Sequence, residues 1–312
     1  MIGSIIIVNY NTNFHLQACL NSIQKLRLED KFEVIVIDNN STDRSIEEFP
    51  NQFPQPYFYF RDVNDGFGSG CDFGARQSSG EYLLFVNPDI VFYSDVITEM
   101  TKFMNNNHQV GACSPVFTNF ENQLVYTYNK FPNYRWEFFE FLGSGNEKEE
   151  IRLLNNEKIV NRSEEPLYVD WTTGACLMVR SDVFNKLNGF DKDYFLYYED
   201  TDLQYRIHKQ GLKIACLPYL RVKHFVNSSV RSVEGEDVYH YHLNRSKLIY
   251  YYKHFHLFKR NILRSLMISG ILLRMTALNF RKRYSDKKKQ KMKQYKKILK
   301  VYLSSKDQLI KS

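Results

Sequence analysis

The sequence predicts an α/β fold: a mostly parallel, doubly wound sheet followed by a helical, basic C-terminal extension. Three observations predict it. Short apolar runs alternate with amphipathic stretches through the first half of the chain. The early apolar runs end abruptly in Asn, Asp or Arg. Basic residues gather at one end: residues 281–312 hold 13 Lys or Arg against 2 Asp, a local charge of +11, which leaves −4 on residues 1–280.

Taken in order, Ser4 to Val8 is a β-branched run and reads as a buried strand, with Asn9-Tyr10-Asn11 turning out of it. His15 to Leu26 places Leu16, Cys19, Leu20 and Ile23 on one helical face. Phe32 to Ile37 is a second strand, ending at Asp38, and the polar loop Asn39 to Asp43 leads toward a helix. Tyr57 to Arg61 is a third strand, and the glycine-rich stretch Asp65 to Gly74 opens another helix. Tyr82 to Val86 is a fourth strand, stopped by Asn87-Pro88-Asp89 because proline cannot donate to a ladder. A helix follows from about Asp95 to Asn105.

Residues 115–168 are less regular, with exposed loops expected at Gly143 to Glu150 and Asn155 to Glu165. Val169 to Val179 reads as a strand, Val183 to Gly189 and Asp202 to Gln210 as short helices, and Leu212 to Leu217 and Arg221 to His224 as late strands. From Tyr239 the chain turns helical and basic. The expected organisation is a main domain over 1–250, with a nucleotide-binding half over about 1–110 and an acceptor half over about 111–250, and a helical segment over 251–312.

Ligands of open α/β sheets bind outside the carboxyl ends of the strands. Those ends read Asn9-Tyr10-Asn11, Asp38-Asn39-Asn40, Arg61-Asp62 and Asn87-Pro88-Asp89. No glycine follows the first strand, which argues against a dinucleotide-dependent dehydrogenase. The glycines come later, in Asn64-Asp65-Gly66-Phe67-Gly68, where they either let backbone approach a diphosphate at a helix N-terminus or form only a tight turn. Asp38 can accept the imide N–H of uracil or thymine; capping or solvation is its bland alternative. Asp89 is a hard carboxylate suited to Mg²⁺ or Mn²⁺.

The run Tyr194 to Arg206 sets Glu199, Asp200 and Asp202 directly after an aromatic segment. A half-buried acid beside a second acid gains proton affinity, which suits a general base. The same residues also read as a helix start, with Asp202 and Arg206 an i,i+4 pair.

Five cysteines, odd in number and without a CxxC, argue for reduced structural thiols and against a zinc site or disulfide frame. Asn39, Asn161 and Asn227 match the glycosylation sequon by chance on this reading, and the N-terminus shows no secretory leader. Phe255 to Phe280 is apolar but interrupted by Arg260, Arg264 and Arg274; its longest uncharged run, Ser265 to Leu273, is below the roughly 20 residues that span a bilayer. At 100° per residue Arg260, Arg264, Arg274 and Arg281 share a face opposite Phe258, Ile262, Leu273 and Phe280. Such a helix lies on an anionic membrane surface, or packs on the body with a solvated tail. Nucleic acid is a weaker third partner, since the tail offers few rings beyond Tyr284 and Tyr295.

Together Ser4–Asn11, Val36–Asp43, Asn64–Gly68, Asn87–Asp89, Trp171–Arg180 and Glu199–Leu203 resemble, in order and spacing, the family-2 glycosyltransferases of the GT-A fold, most closely their bacterial rhamnosyltransferase-like members. The resemblance covers about residues 4–250. It implies an inverting transferase that uses a UDP- or dTDP-linked sugar and a glycan or lipid-linked acceptor in surface-polysaccharide synthesis, working in the cytoplasm at the inner face of the membrane. By the same resemblance Asp38 reads the base, Asp89 and His224 hold a Mg²⁺ or Mn²⁺ ion, Asp200 is the general base beside Glu199, and Gly174 and Ala175 lie under the sugar. Asn9, Asn11, Asn40, Arg61, Asn64, Gly66, Phe67, Gly68 and Asn87 would line the donor pocket. Two departures stand out. Asn87 replaces the first acid of the usual metal motif. Asp72 replaces an Asn, adding negative charge near a diphosphate, so it is expected to be turned away or paired. A nucleotidyltransferase would want basic residues between Val8 and Leu20, where no Lys or Arg lies. A non-catalytic membrane- or nucleic-acid-binding protein would not need Asp89 and Asp200.

Overall fold

The computed structural model describes residues 1–125, 127–133, 160, 163–225, 235–280 and 286–310. They form two compact units. The first holds the described residues up to 131, those from 160 to 195 and those from 199 to 225; the second holds 132–133, Leu196–Tyr198 and 235–310.

The first unit is built on one large sheet. Its strands are β1 (Gly3–Asn9), β2 (Phe32–Asp38), β3 (Tyr57–Phe60), β4 (Tyr82–Val86), β5 (Ile90–Val91), β6 (Val110–Thr118), β8 (Leu167–Val169), β10 (Cys176–Arg180) and β11 (Lys213–His224). A two-stranded ribbon pairs β7 (Tyr128–Asn129) with β9 (Trp171–Thr172). The order across the large sheet is β3-β2-β1-β4-β10-β6-β11-β5, with β8 on β11. β3, β2, β1 and β4 run parallel, and so do β6 and β11. β10 is antiparallel to both of its neighbours. Ile5, Ile6 and Ile7 are 0% exposed, which is why β1 is apolar without alternation: both of its faces are covered. Each such side chain contributes about 1.5–3 kcal/mol of burial.

The helices of this unit are α1 (Asn13–Gln24), α2 (Phe49–Gln52), α3 (Phe67–Gln77), α4 (Val96–Asn106), α5 (Ser181–Lys186) and α6 (Glu199–Lys209). α4 begins where Asp95 accepts the N–H of Thr98, an ordinary N-cap. α6 begins at Glu199, three residues earlier than expected, so the acidic cluster is its first turn.

Four other expectations change. β6 is a fully buried strand that the sequence reading passed over. It carries Gly111, Ser114 and Pro115, none of them a strand former. Pro115 is tolerated because β11 bulges there: pairing jumps from Leu217↔Pro115 to Arg221↔Val116. The two late strands are therefore one strand with a bulge. The strand expected over Val169 to Val179 is instead β8, β9 and β10, broken at Asp170 and at Thr173-Gly174-Ala175. Val160, inside a stretch read as an exposed loop, is buried with Val116 and Cys216. Gly143 to Glu150, Asn161, Asn227, Arg281 and Tyr284 lie outside the described residues.

The second unit is helical: α7 (Glu236–His254), α8 (Leu257–Phe280), α9 (Asp286–Leu303) and α10 (Lys306–Ile310). Leu248 to Tyr251, Leu263, Met267, Ile271, Val301, Tyr302 and Leu309 are buried. Arg264 donates to the carbonyls of Tyr302 (2.6 Å) and Ser304 (3.1 Å), satisfying the end of α9. Arg245 donates to Leu309 O at 2.6 Å. The two expected faces of α8 are present, with the arginine face turned inward and the apolar face outward: Phe258 is 76% exposed and Phe280 82%. α8 is also long and apolar enough, by length and composition, to cross a membrane, which revises the expectation drawn from its uncharged run. Leu196–Tyr198 belongs to this unit, with Leu196 O accepting from Ser246 Oγ at 2.7 Å and the rings of Tyr197 and Tyr198 against Tyr239 and Tyr250.

Candidate active site

Parallel pairing of β1 with β2 in the register Asn9↔Asp38 sets two polar strand ends side by side. Asn9 is 0% exposed, and its amide donates to Asn13 Oδ1, Asp38 Oδ1 (both 2.9 Å) and Ser41 Oγ (3.1 Å). Asp38 also accepts from Ser41 Oγ (2.6 Å) and Ser41 N (2.9 Å). Three of its roughly four acceptor positions are thus engaged by the protein. Asn11 and Asn40 sit at φ 54° and 63°, the left-handed region that Asn tolerates. Asn11 Oδ1 accepts from Thr42 N at 2.8 Å and so ties the first loop to the second.

Asn39 extends this network to the glycine loop. Its amide donates to Asn64 Oδ1 (2.8 Å) and Gly66 O (3.2 Å), and its carbonyl accepts from Arg61 Nη1 (2.6 Å). Arg61 is held bidentate by Asp65, at 2.6 and 3.0 Å, so its charge is already paired. Gly66 has φ 106°, and a Cβ there would lie 2.2 Å from Phe195 O; only glycine fits. Phe67 N donates to that same carbonyl at 3.1 Å and opens α3, which has no side-chain cap. A Cβ on Gly68 would lie 3.6 Å from the Cβ of Glu199, which brings the glycine loop to the acids. Asp72, the substituted residue of this loop, points away: it is buried and accepts the N–H of Phe190 at 2.9 Å, and burial pushes its carboxyl up to about 6.

Asn87 N donates to Ala175 O at 2.8 Å, joining the end of β4 to the turn before β10. The β5–β11 register places His224 opposite Ile90 and thus beside Asp89. His224 Nε2 lies 3.3 Å from Asp89 Oδ1, and Phe225 N donates to Asp89 O. No group of three or more His, Cys, Asp or Glu side chains converges among the described residues. A carboxylate and an imidazole side by side form a donor pair that a divalent ion accepts.

The acids occupy the first turn of α6, where unpaired N–H groups favour negative charge. Asp200 Oδ2 accepts from Gly174 N (2.8 Å) and Oδ1 from Thr201 N (2.6 Å). Burial nevertheless raises its proton affinity above the usual carboxylate range, against those hydrogen bonds. Glu199 is 6% exposed with Oε2 unpartnered; burial first, then the Asp200 charge, push it up to about 8. Burial thus favours the neutral form of both acids, while Asp200 is the one whose anion Gly174 N and Thr201 N stabilise. Asp202 is structural, 0% exposed and paired with Arg206 Nε at 2.6 Å. A Cβ on Gly174 would meet Asp200 Cβ at 2.8 Å, so the position of the acid by itself calls for a glycine there.

Five residues have a part here that the sequence did not single out. Asn39 bridges to Asn64 and Gly66, and Ser41 to Asp38 and Asn9. Gln204 clamps the turn, donating to Thr172 O (2.7 Å) and accepting from Thr172 N (2.8 Å). Tyr197 and Tyr198 both have φ near 66°, a strained pair directly before the acids. Only the last two had a signal, in the aromatic run.

The model of glycosyl transferase family 2 matches residues 4–183, and that of an N-terminal domain of galactosyltransferase matches 159–228. An N-acetylglucosaminyl-diphospho-decaprenol L-rhamnosyltransferase of Mycobacterium tuberculosis is 25% identical over 232 residues, 70% of this chain and 75% of the relative. Rhamnosyltransferase WbbL of Escherichia coli is 24% identical over 237 residues, 73% and 85%. The solved mannosyltransferase PcManGT of Pyrobaculum calidifontis, in complex with GDP-Man and Mn²⁺, superposes with a TM-score of 0.58 at 14% identity over 96% of this chain and 85% of that one.

Proposed function

The chain belongs to glycosyl transferase family 2 and is a glycosyltransferase of the GT-A fold, and from that premise we propose that it transfers a sugar, with inversion, from a UDP- or dTDP-linked donor to a lipid-linked saccharide in surface-polysaccharide synthesis. A rhamnosyl donor is supported by the names of two relatives, and a lipid-linked acceptor by the name of one. The enzyme then works at the cytoplasmic face of the membrane. The observation that carries the chemistry is Asp200, an acid of raised proton affinity held at a helix start by Gly174 N and Thr201 N.

In this reading Asp200 takes the proton of the acceptor hydroxyl as that oxygen bonds to the anomeric carbon. The bond from the anomeric carbon to the diphosphate oxygen breaks on the opposite side, through an oxocarbenium-like state. Glu199 stays protonated and adds no charge that would repel the Asp200 anion's neighbours. Gly66 N is taken by Asn64 Oδ1 and Phe67 N by Phe195 O, so the N–H groups left to face the departing diphosphate are those after Phe67 at the start of α3. A divalent ion held by Asp89 and His224 would neutralise the charge developing on that leaving group. Asp38 organises the base pocket through Asn9 and Ser41, with its remaining acceptor position toward the base.

The test is a panel of nucleotide-sugars with a lipid-linked acceptor, followed by NMR of the product's anomeric configuration. Consumption of one donor with inversion is expected. EDTA should abolish transfer, and Mn²⁺ or Mg²⁺ should restore it. Retained configuration overturns Asp200 as a base acting in single displacement, and activity persisting in chelator removes the ion from Asp89 and His224.

A further inference from the structure

α8 reverses the usual arrangement of a surface helix. Arg260, Arg264 and Arg274 share the inward side with Leu263, Met267 and Ile271. Arg264 is bonded to the carbonyls of Tyr302 and Ser304, and Arg260 lies over the Tyr252 ring at 4.3 Å. The outward side carries Phe258, Ile262, Leu272, Leu273 and Phe280, all exposed, with Leu273 at 61%. Ser265, Ser269 and Thr276 lie exposed between them over a helix about 36 Å long, and the exposed Lys259, Asn261 and Asn279 flank the strip. Isolated exposed apolar residues need no explanation, but a continuous uncharged strip of this size marks a surface that is covered in use.

We infer that this face of α8 seats in the interfacial layer of an anionic phospholipid bilayer. The charge of the neighbouring sequence selects that partner. α9 exposes Lys289, Lys291, Lys293, Lys296 and Lys300, and residues 281–312 carry +11 in all. A second copy of the chain would bring two such tails together, whereas anionic headgroups attract them. Crossing the bilayer would strip Arg264 from the carbonyls it satisfies and carry three arginines into hydrocarbon. Lying in the interface leaves all of these contacts in place. The partner class rests on the membrane-side function proposed above; the inverted face of α8 does not.

The experiment is co-flotation of the full-length protein with vesicles of phosphatidylcholine, with and without phosphatidylglycerol. Binding should require phosphatidylglycerol at low salt and weaken as salt screens the lysines. Phe258→Glu and Leu273→Glu should each weaken partitioning on the order of 10-fold or more, with circular dichroism and Tm unchanged because both sites are exposed. Lys289→Glu with Lys293→Glu should reduce only the phosphatidylglycerol-dependent part. All variants should still transfer sugar to a soluble short acceptor. Equal partitioning of wild type and the Glu variants overturns the inference. So does a solution dimer that Phe258→Glu dissolves in the absence of vesicle binding, and so does retention on membranes through alkaline carbonate, which marks a spanning helix. Vesicle binding without any sugar transfer leaves this inference standing and removes the proposed function instead.

Discussion

The strand-end network around Asn9, Asp38 and Asn39 and the acid pair at the start of α6 are built with opposite electrostatic design. In the first, every polar group described above is answered: Asn9 by three acceptors, Asp38 by three donors, Asn39 by Arg61, Asn64 and Gly66. In the second, Glu199 is buried with an unpartnered oxygen beside another acid. Saturated hydrogen bonding gives a rigid, pre-formed pocket. Unsatisfied burial gives a proton affinity far from that of water. The difference teaches that one chain can set two clusters of polar groups to opposite ends, rigidity and raised proton affinity, by how completely it satisfies each.

The largest expected effect lies at the acid end. Asp200→Asn should lower turnover by about 10²-fold or more while leaving nucleotide affinity and Tm near wild type. A variant that loses stability instead would place Asp200 with the structural network and break the contrast. Gly174→Ala comes next. Its methyl group must displace Asp200, so kcat should fall at nearly constant donor KM, by on the order of 10-fold or more. Unchanged kcat would show that the position of Asp200 does not matter to the reaction.

At the saturated end the same kind of change should act on stability and binding. Asp38→Ala leaves Asn9 and Ser41 donors unanswered and should cost about 1–3 kcal/mol of folding stability together with weaker nucleotide binding by calorimetry. Equal nucleotide affinity in both proteins would take Asp38 out of the pocket and leave it a purely internal clamp.

The smallest effect sharpens the contrast through pH. The folded chain keeps the Glu199 proton up to about 8, whereas an unfolded chain releases it near 4.5. The folded state therefore binds more protons in that window, and stability falls as pH rises through it. Glu199→Gln should remove this slope and raise Tm modestly at the upper end of the window. It should also remove an alkaline fall in kcat/KM while keeping the acid limb, which belongs to Asp200. Parallel Tm–pH curves for both proteins would show that Glu199 is ionised in the folded state.

The sequence displayed the parts of the site better than their partners. Strand ends, the glycine loop and the acid cluster were legible because each combines a local pattern with a fixed place in an α/β sheet. The pairing of Asp89 with His224 depends on β5 joining β11 across more than a hundred residues, and no local pattern encodes that register. β6 was hidden by Pro115, tolerated because β11 bulges opposite it, and by Gly111, itself skipped in the pairing and packed too closely on Ile207 and Leu212 to carry a side chain. The two faces of α8 were legible from periodicity, but which one points inward depends on α9, whose terminal carbonyls claim Arg264.

The place of β10 has a consequence for the order in which the molecule can be made. It is the strand between β4 and β6, yet it is synthesised after both. While a growing chain has passed Thr118 but not reached Arg180, β4 lacks one of its neighbours and β6 lacks both, β10 and β11. Those bare edges are templates for wrong partners. The sheet therefore cannot close during translation of its first half. A nascent chain must be shielded, or must outrun association, until the segment Cys176–Arg180 leaves the ribosome and can pair with β4 on one side and β6 on the other.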